Sequence, residues 1–413
     1  MRTLVLGDAL ELLVDNRGKN PPFQDSGVPV VSAGLVSDGI VDLREARKVS
    51  LDVFRSWMES PMKEGDVILT SEAPLGRVAR LRSNDAVVLA QRVFGLRGKP
   101  GVLDTGFLYY ALQSTQVQAD LAGRATGTTV LGIRQTALLA VKVPAPDYSD
   151  QCAIAEVLGA LDDKIAANHK LVQTSDSLAD ACFAQLSQSC SGSPSPGQVD
   201  GAPETTIGEL AAQGALTFSD GYRTKRAELA ESGFRIIRVA DVIGGQVAAE
   251  GSDFVSVDRR SAIGVKTGQR GDILLTTKGT VGRIAVLEDA GEEVVYSPQI
   301  CFFRVHQNDA IEWVYLRRWL ASDQFKRQAL YLKSNTDMAD YINLADMRSL
   351  KLALPDLSRQ RELAQVLEPL ESLSASTRNE SRTLAATRDA LLPRLMSGEL
   401  RVRDAERQVE EVL

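Results

Sequence analysis

Four residues near the start of the chain, Asn20-Pro21-Pro22-Phe23, have the types and spacing of a site that holds an adenine: an amide for the exocyclic amino group and a ring to stack on the base, the signature of amino-group DNA methyltransferases. Methyl transfer also needs a glycine-rich turn that brings backbone close to the donor. No Gly-x-Gly occurs in the 413 residues, and an aligned stretch later in the chain, around Gly221-Tyr222-Arg223, lacks the motif. The four residues therefore read as an N-terminal loop. Pro146-Asp147 with Asp162-Asp163-Lys164 imitates a nuclease in which two acids bind Mg²⁺ and a lysine assists the water. In such enzymes the second acid and the lysine sit on a strand, whereas here the surrounding pattern is helical, so a solvated helix face is expected. Cys152, Cys182, Cys190 and Cys301 form no CxxC, and His169 and His306 are the only histidines, so no Cys/His metal centre can be assembled by spacing. With no GxxxxGK[ST], GxSxG or HExxH, the residues offer no catalytic constellation, no cofactor site and no metal site.

The elements around these residues are duplicated. GDVILTSEAPLGRV at 65–78 returns as GDILLTTKGTVGRI at 271–284, so that Gly65, Asp66, Leu69, Thr70, Gly76 and Arg77 answer Gly271, Asp272, Leu275, Thr276, Gly282 and Arg283. Tyr109 answers Tyr315, and Pro146, Asp147 and Gln151 answer Pro355, Asp356 and Gln360. Within each copy, short Val/Ile/Leu runs punctuated by Gly and Pro predict a mixed α/β (α+β) domain, with Tyr109, Tyr110, Trp313 and Tyr315 packed in cores. A chain of 44.7 kDa with 44% apolar and 24% charged residues has material for several cores. No run approaches a membrane span, and the acidic start is unlike a signal peptide, which together predict a cytoplasmic protein without a membrane partner.

After each domain the pattern turns helical. Ile154, Leu158, Leu161, Ile165 and Val172 recur at alternating spacings of four and three, and Leu363, Leu367, Leu370, Leu384 and Leu391 repeat the stripe, which predicts a coiled-coil seam made by two long antiparallel helices. Asn168, Ser175, Ser374, Thr377 and Ser381 fall on the stripe as polar register-setters. Gly159 and Pro369 predict a break after two turns in each helix. The expected division is 1–150 and 205–357 for the two domains, 151–188 and 358–413 for the helical regions and C-terminal tail, and 189–204 for a Ser/Gly/Pro linker.

Net charge is −7, but residues 148–204 alone hold 2 Lys+Arg against 8 Asp+Glu, which leaves both domains near neutral and able to gather cations on one face. The order and duplication of the GD[VI][IL]LT…GR[VI] blocks, the P-D-x-S-x-Q helix starts and the ending LLPRLMSGEL (391–400) resemble the specificity subunit (HsdS) family of type I restriction-modification enzymes. That resemblance implies two tandem target recognition domains related by a pseudo-two-fold internal repeat, each reading half of a bipartite site in double-stranded DNA. It further implies a subunit without catalysis that docks two methyltransferase subunits, which the restriction and translocating subunits join. Base and phosphate contacts favour Arg, Lys, Asn and Gln in loops. The candidates are Arg17, Lys19, Arg77, Arg92 and Arg124 in the first domain, with Arg223, Lys225, Arg226, Lys278, Arg283 and Lys333 in the second. Arg77 and Arg283, recurring in both copies, suit a turn-stabilising role as well, whereas recognition residues proper should differ, as Glu72 and Lys278 do. Two other readings stay open: a stand-alone adenine methyltransferase using Asn20–Phe23, and a coiled-coil scaffold that binds only proteins.

Overall fold

The computed structural model describes residues 2–37, 39–127, 130–189, 203–248, 251–288, 293–306, 310–333 and 341–413; the side chains of residues 186–189 and 333 lie outside the described set, as does most of the 189–204 linker. The chain divides into two compact units, unit 1 comprising Met1–Lys170 with Thr377–Leu413, and unit 2 comprising Leu171–Ser376.

Each unit is built on the same four-stranded antiparallel sheet. In unit 1 the order is Leu10–Asp15, Val93–Gly98, Val67–Thr70, Val78–Arg80; in unit 2 it is Leu216–Asp220, Ile300–Val305, Ile273–Thr276, Ile284–Val286. Alternate residues of a strand face opposite sides, and here both sides are covered. Val67 and Leu69 join the cluster that includes Phe107 and Tyr110, while Ile68 joins a second core with Val30 and Val88. Ile273 and Leu275 against Leu274 divide in the same way in unit 2. A strand buried on both faces reads as a continuous apolar run, which is why VILT and ILLT were visible as repeats.

The repeated block is a set of structural contacts. Gly65 and Gly271 hold φ of +88° and +87°, a region that favours glycine. The next residue is a buried carboxylate gripped by a guanidinium: Arg97 donates to Asp66 at 2.7 and 2.6 Å, and Arg304 to Asp272 at 2.7 and 2.7 Å. Thr70 and Thr276 accept the amides of Arg77 and Arg283, both at 2.9 Å, closing the hairpins.

The long helices span Tyr148–Ser189 and Leu357–Ser397. Neither is broken at Gly159 or Pro369, contrary to the expected interruption. Pro369 and Gln365, the residue whose carbonyl loses its amide partner, are both exposed, so water replaces the missing bond while the flanking Leu367 stays buried. In unit 1 the helices run antiparallel: Asn168 donates to Glu380 at 2.9 Å and Arg388 pairs with Asp162 at 2.7 Å, so numbers rise on one helix as they fall on the other. In unit 2, Ser175 donates to the Leu370 carbonyl at 3.2 Å in the same sense. Ile154, Leu158, Leu161, Val172, Leu363, Leu367, Leu384 and Leu391 are buried, and Ile165 and Leu370 are half-buried. Many of these are shared with the domain cores rather than confined to a two-helix seam: Leu158 belongs to the Phe107 cluster and Leu367 to the Trp319 cluster.

The glutamine of the P-D-x-S-x-Q starts ties each helix to its domain. Gln151, fully buried, accepts from the Asp104 amide at 3.0 Å and donates to the carbonyls of Val102 and Pro146; Gln360 does the same with Glu312, Ala310 and Pro355. Gln360→Ala is expected to cost about 1–3 kcal/mol, the desolvation penalty of the buried groups left behind, measured as a shift in the urea unfolding midpoint. A loss below about 0.5 kcal/mol would make the glutamine dispensable.

Two further differences concern polar residues. Asp162 does not lie on a solvated face: it is 4% exposed and accepts from Tyr110 and Arg388, both at 2.7 Å. Asp163 pairs with Arg80 and Arg82, and Lys164 with Glu380, so these two, like Asp162, are ion-pair partners. A C-terminal helix, Val402–Glu410, packs Ala405 and Val409 into the unit 1 core. Among the described residues no helix is long and apolar enough to cross a membrane.

Candidate nucleic-acid interface

In unit 1, four chain segments meet at one end of the sheet. The turn before Val93–Gly98 is joined to the hairpin loop by the Ser71 amide donating to the Arg92 carbonyl at 2.9 Å, and the Ile133 amide donates to the Ser71 carbonyl at 2.9 Å. Glu72 bridges Gly132, which in turn bridges Thr126. Arg17 reaches across to the Ile133 carbonyl at 2.9 Å, and Gln91 donates to the Lys19 carbonyl at 2.7 Å. This brings together three sequence candidates, Arg17, Lys19 and Arg92, all exposed, and places the Arg124 loop beside them. Arg17 lies 5.3 Å over the Phe94 ring and Lys19 5.3 Å over Trp57, which holds both stems while leaving the charges outside. Arg92 pairs with Glu72 at 2.9 Å. Arg124 is drawn back by Asp120 at 2.8 Å. Burial pushes the Asp120 carboxyl up, but the Lys142 amide and Arg124 outweigh it and hold it below the ordinary range.

Unit 2 repeats the junction with other side chains. The Thr277 amide donates to the Gln299 carbonyl and the Ile342 amide to the Thr277 carbonyl, while Lys278 bridges Tyr341 and stands 5.8 Å over its ring. Lys225 and Arg226 line a cavity of about 390 Å³ with Ser297, Pro298 and Gln299, and exposed Arg223 precedes them on the same loop. The side chain of Lys333 lies outside the described residues.

Arg77 and Arg283, both exposed, close the hairpin loops of these junctions as a matched pair. Their guanidinium Nη1 atoms donate to the Val36 and Val242 carbonyls, each at 3.3 Å, at the same step of each copy. Their recurrence therefore has a structural cause in the hairpin they brace.

Sequence reasoning passed over Arg44, Arg47 and Lys48. With Phe23 they line a second cavity in unit 1 of about 410 Å³, where the Arg47 guanidinium stacks 3.6 Å from the Phe23 ring. The signal was the RKV run at 47–49 beside an exposed aromatic, and Phe23 serves there as a platform for a cation. Asn20 is exposed on the loop before it. Ser297 and Gln299 were also missed, because their aligned residues in the first copy are of different type.

The comparisons agree with this duplicated architecture. The family model for the type I restriction modification DNA specificity domain matches residues 6–174 and again 221–385. The chain is 21% identical over 415 residues to the type I restriction enzyme MjaVIII specificity subunit of Methanocaldococcus jannaschii, covering 97% of this chain and 92% of that one. It is 22% identical over 370 residues to the MjaIX specificity subunit of the same organism, covering 83% and 79%. The crystal structure of the type I restriction-modification S subunit from M. genitalium superposes with a TM-score of 0.57 at 17% identity, over 95% of each chain, which shows a common fold. Two matched copies of one domain, each built on the same sheet and each followed by a long helix, establish that the chain belongs to the type I restriction-modification DNA specificity family.

Proposed function

We propose that the chain is the non-catalytic DNA sequence-recognition subunit of a type I restriction-modification complex, with one target recognition domain in each unit, at 1–150 and 205–357, reading one half of a bipartite asymmetric site. The observation that supports this most directly is the junction of loops at one end of each sheet, built on the same backbone hydrogen bonds but carrying different side chains: Arg17, Lys19 and Arg92 in one copy, Arg223, Lys225, Arg226 and Lys278 in the other. A shared scaffold with divergent loop cations suits two half-sites of different sequence, since phosphate contacts position a protein and base contacts specify. The two long helices set the unread gap and supply the surface for two methyltransferase subunits, which restriction and translocating subunits join in the cytoplasm.

The test is co-expression with the cognate methyltransferase subunit, followed by sequencing of host DNA for modified adenines. A two-part motif with an unread gap is expected. Modification by this chain alone, abolished by Asn20→Ala, would overturn the reading in favour of a stand-alone methyltransferase. Absence of modification, with both proteins folded and associated, would favour a protein-only scaffold.

A further inference from the structure

We propose that unit 2 holds a DNA phosphodiester in a pocket built from the hydroxyls of Ser297 and Thr224, the amide of Gln299 and the cations Lys225 and Arg226, and that the aligned residues of unit 1 build no counterpart. The proposal rests on the DNA-recognition reading and names one of its contacts. These five residues line the cavity of about 390 Å³ at the loop junction. Ser297 is 3% exposed, and among the described residues neither its hydroxyl nor that of Thr224 has a hydrogen-bond partner. A buried hydroxyl without a partner is costly, and native folds keep few of them. Both of these belong to one cavity, which points to a ligand that completes them.

The lining chemistry selects that ligand. Every polar group named can donate, two of them are cations, and no Asp or Glu is among the lining residues. Arg238, also on the wall, is paired with Asp253 at 2.5 Å, so the net positive charge comes from Lys225 and Arg226. An acceptor-rich anion fits, and a cation does not. The space admits a phosphate together with its adjoining sugar, and the pocket opens among the loop cations that make the interface, so the occupant is a backbone phosphate of the duplex.

Backbone hydrogen bonds fix which residues of unit 1 correspond. The Ala90 amide donates to the Val31 carbonyl at 2.9 Å as the Ser297 amide does to Ile237, and the Ser71 amide donates to the Arg92 carbonyl as Thr277 does to Gln299. Ala90 therefore stands where Ser297 does, and Arg92 where Gln299 does. The unit 1 position lacks the Ser297 hydroxyl, and Gln91 bonds to the Lys19 carbonyl beside it.

The experiment measures binding of the complex with its methyltransferase subunits to a duplex carrying the site mapped by methylation sequencing. Ser297→Ala, which copies the residue of unit 1, is expected to weaken binding about 10-fold without lowering the melting temperature, because an unpaired hydroxyl is being removed. Thr224→Val is expected to act in the same direction, and Lys225→Ala to lower the salt slope by about 0.9. Replacing single phosphates of the unit 2 half-site by neutral methylphosphonates is expected to find one position that costs the wild type more than about 10-fold and costs Ser297→Ala measurably less. Wild-type binding by both hydroxyl variants would overturn the pocket while leaving the recognition reading intact. Inorganic phosphate that raises the melting temperature of the wild type but not of Ser297→Ala, with DNA binding equal in the two, would assign the pocket to free phosphate instead. Failure of the wild-type complex to bind any duplex would overturn both readings.

Discussion

Replacing Asp162 by alanine is expected to destabilise unit 1 by about 3–5 kcal/mol, the cost of removing one partner from a buried pair. Its carboxylate is 4% exposed and joins three elements: it accepts from Tyr110 on the helix Thr105–Gln113 and from Arg388 on the second long helix, while itself belonging to the first. Burial pushes the Tyr110 hydroxyl above its ordinary range, and the neighbouring carboxylate pushes it further, so it stays a donor. Burial lowers Arg388, but the carboxylates of Asp162 and Asp389 outweigh it and keep the guanidinium charged. Without Asp162 the buried Tyr110 hydroxyl loses its acceptor and Arg388 keeps only Asp389. Asp163, 65% exposed in its pairs with Arg80 and Arg82, supplies the control, and its alanine variant should cost no more than about 1 kcal/mol. Replacing the triad together, as Asp162→Leu with Arg388→Met and Tyr110→Phe, should recover most of the loss, because a packed apolar set of similar volume avoids desolvating ions. Urea unfolding midpoints check the series. Equal effects of Asp162→Ala and Asp163→Ala would show that burial adds nothing to the pair.

The triple variant R223A/K225A/R226A is expected to weaken DNA binding by the methyltransferase complex about 100-fold near physiological salt, and to reduce the slope of log K against log salt by about 2.7. Three lost phosphate neutralisations release three fewer sets of condensed counterions, which affects all sequences alike. Loss of discrimination between target and non-target duplex with an unchanged slope would instead assign these side chains to base edges, at about 1–3 kcal/mol for each good bidentate contact. The two results separate positioning from reading, and an unchanged affinity would remove the loop from the interface. Arg283→Ala provides the contrast: its guanidinium braces the Val242 carbonyl, so its effect belongs in stability and leaves the salt slope alone.

Much of the fold was legible because duplication converts single residues into paired observations. Asp66 and Asp272 recur for one reason, a buried carboxylate closing a turn around Arg97 or Arg304. Gln151 and Gln360 recur because each fastens a helix to its domain. The same logic hid the divergent positions. The copies are offset by 206 residues at Thr70 and Thr276 but by 207 at Arg92 and Gln299, so Ser297 aligns with Ala90 only once the strands and their hydrogen bonds are seen. Pro369 misled for a different reason: a local propensity cost was outweighed by the burial of Leu363 and Leu367 on the opposite face. The loop cations could be named but not grouped, since grouping depends on which carbonyls Arg17 and Gln91 reach. The helix Val402–Glu410 escaped notice because only a few apolar residues in a charge-rich stretch carry its contact with the core.

Synthesis on the ribosome meets the two units differently. Leu171–Ser376 is one unbroken stretch of chain, so unit 2 has all its residues once its last one emerges. Unit 1 is discontinuous: the core around Phe107 and Leu158 also needs Leu384, Leu391, Ala405 and Val409. At translation rates of about 5–20 residues per second, its first 170 residues wait roughly 10–40 s for those side chains while unit 2 is being made. The apolar surface around Leu158 is exposed for that interval, and a nascent chain stalled before Thr377 would present it to chaperones.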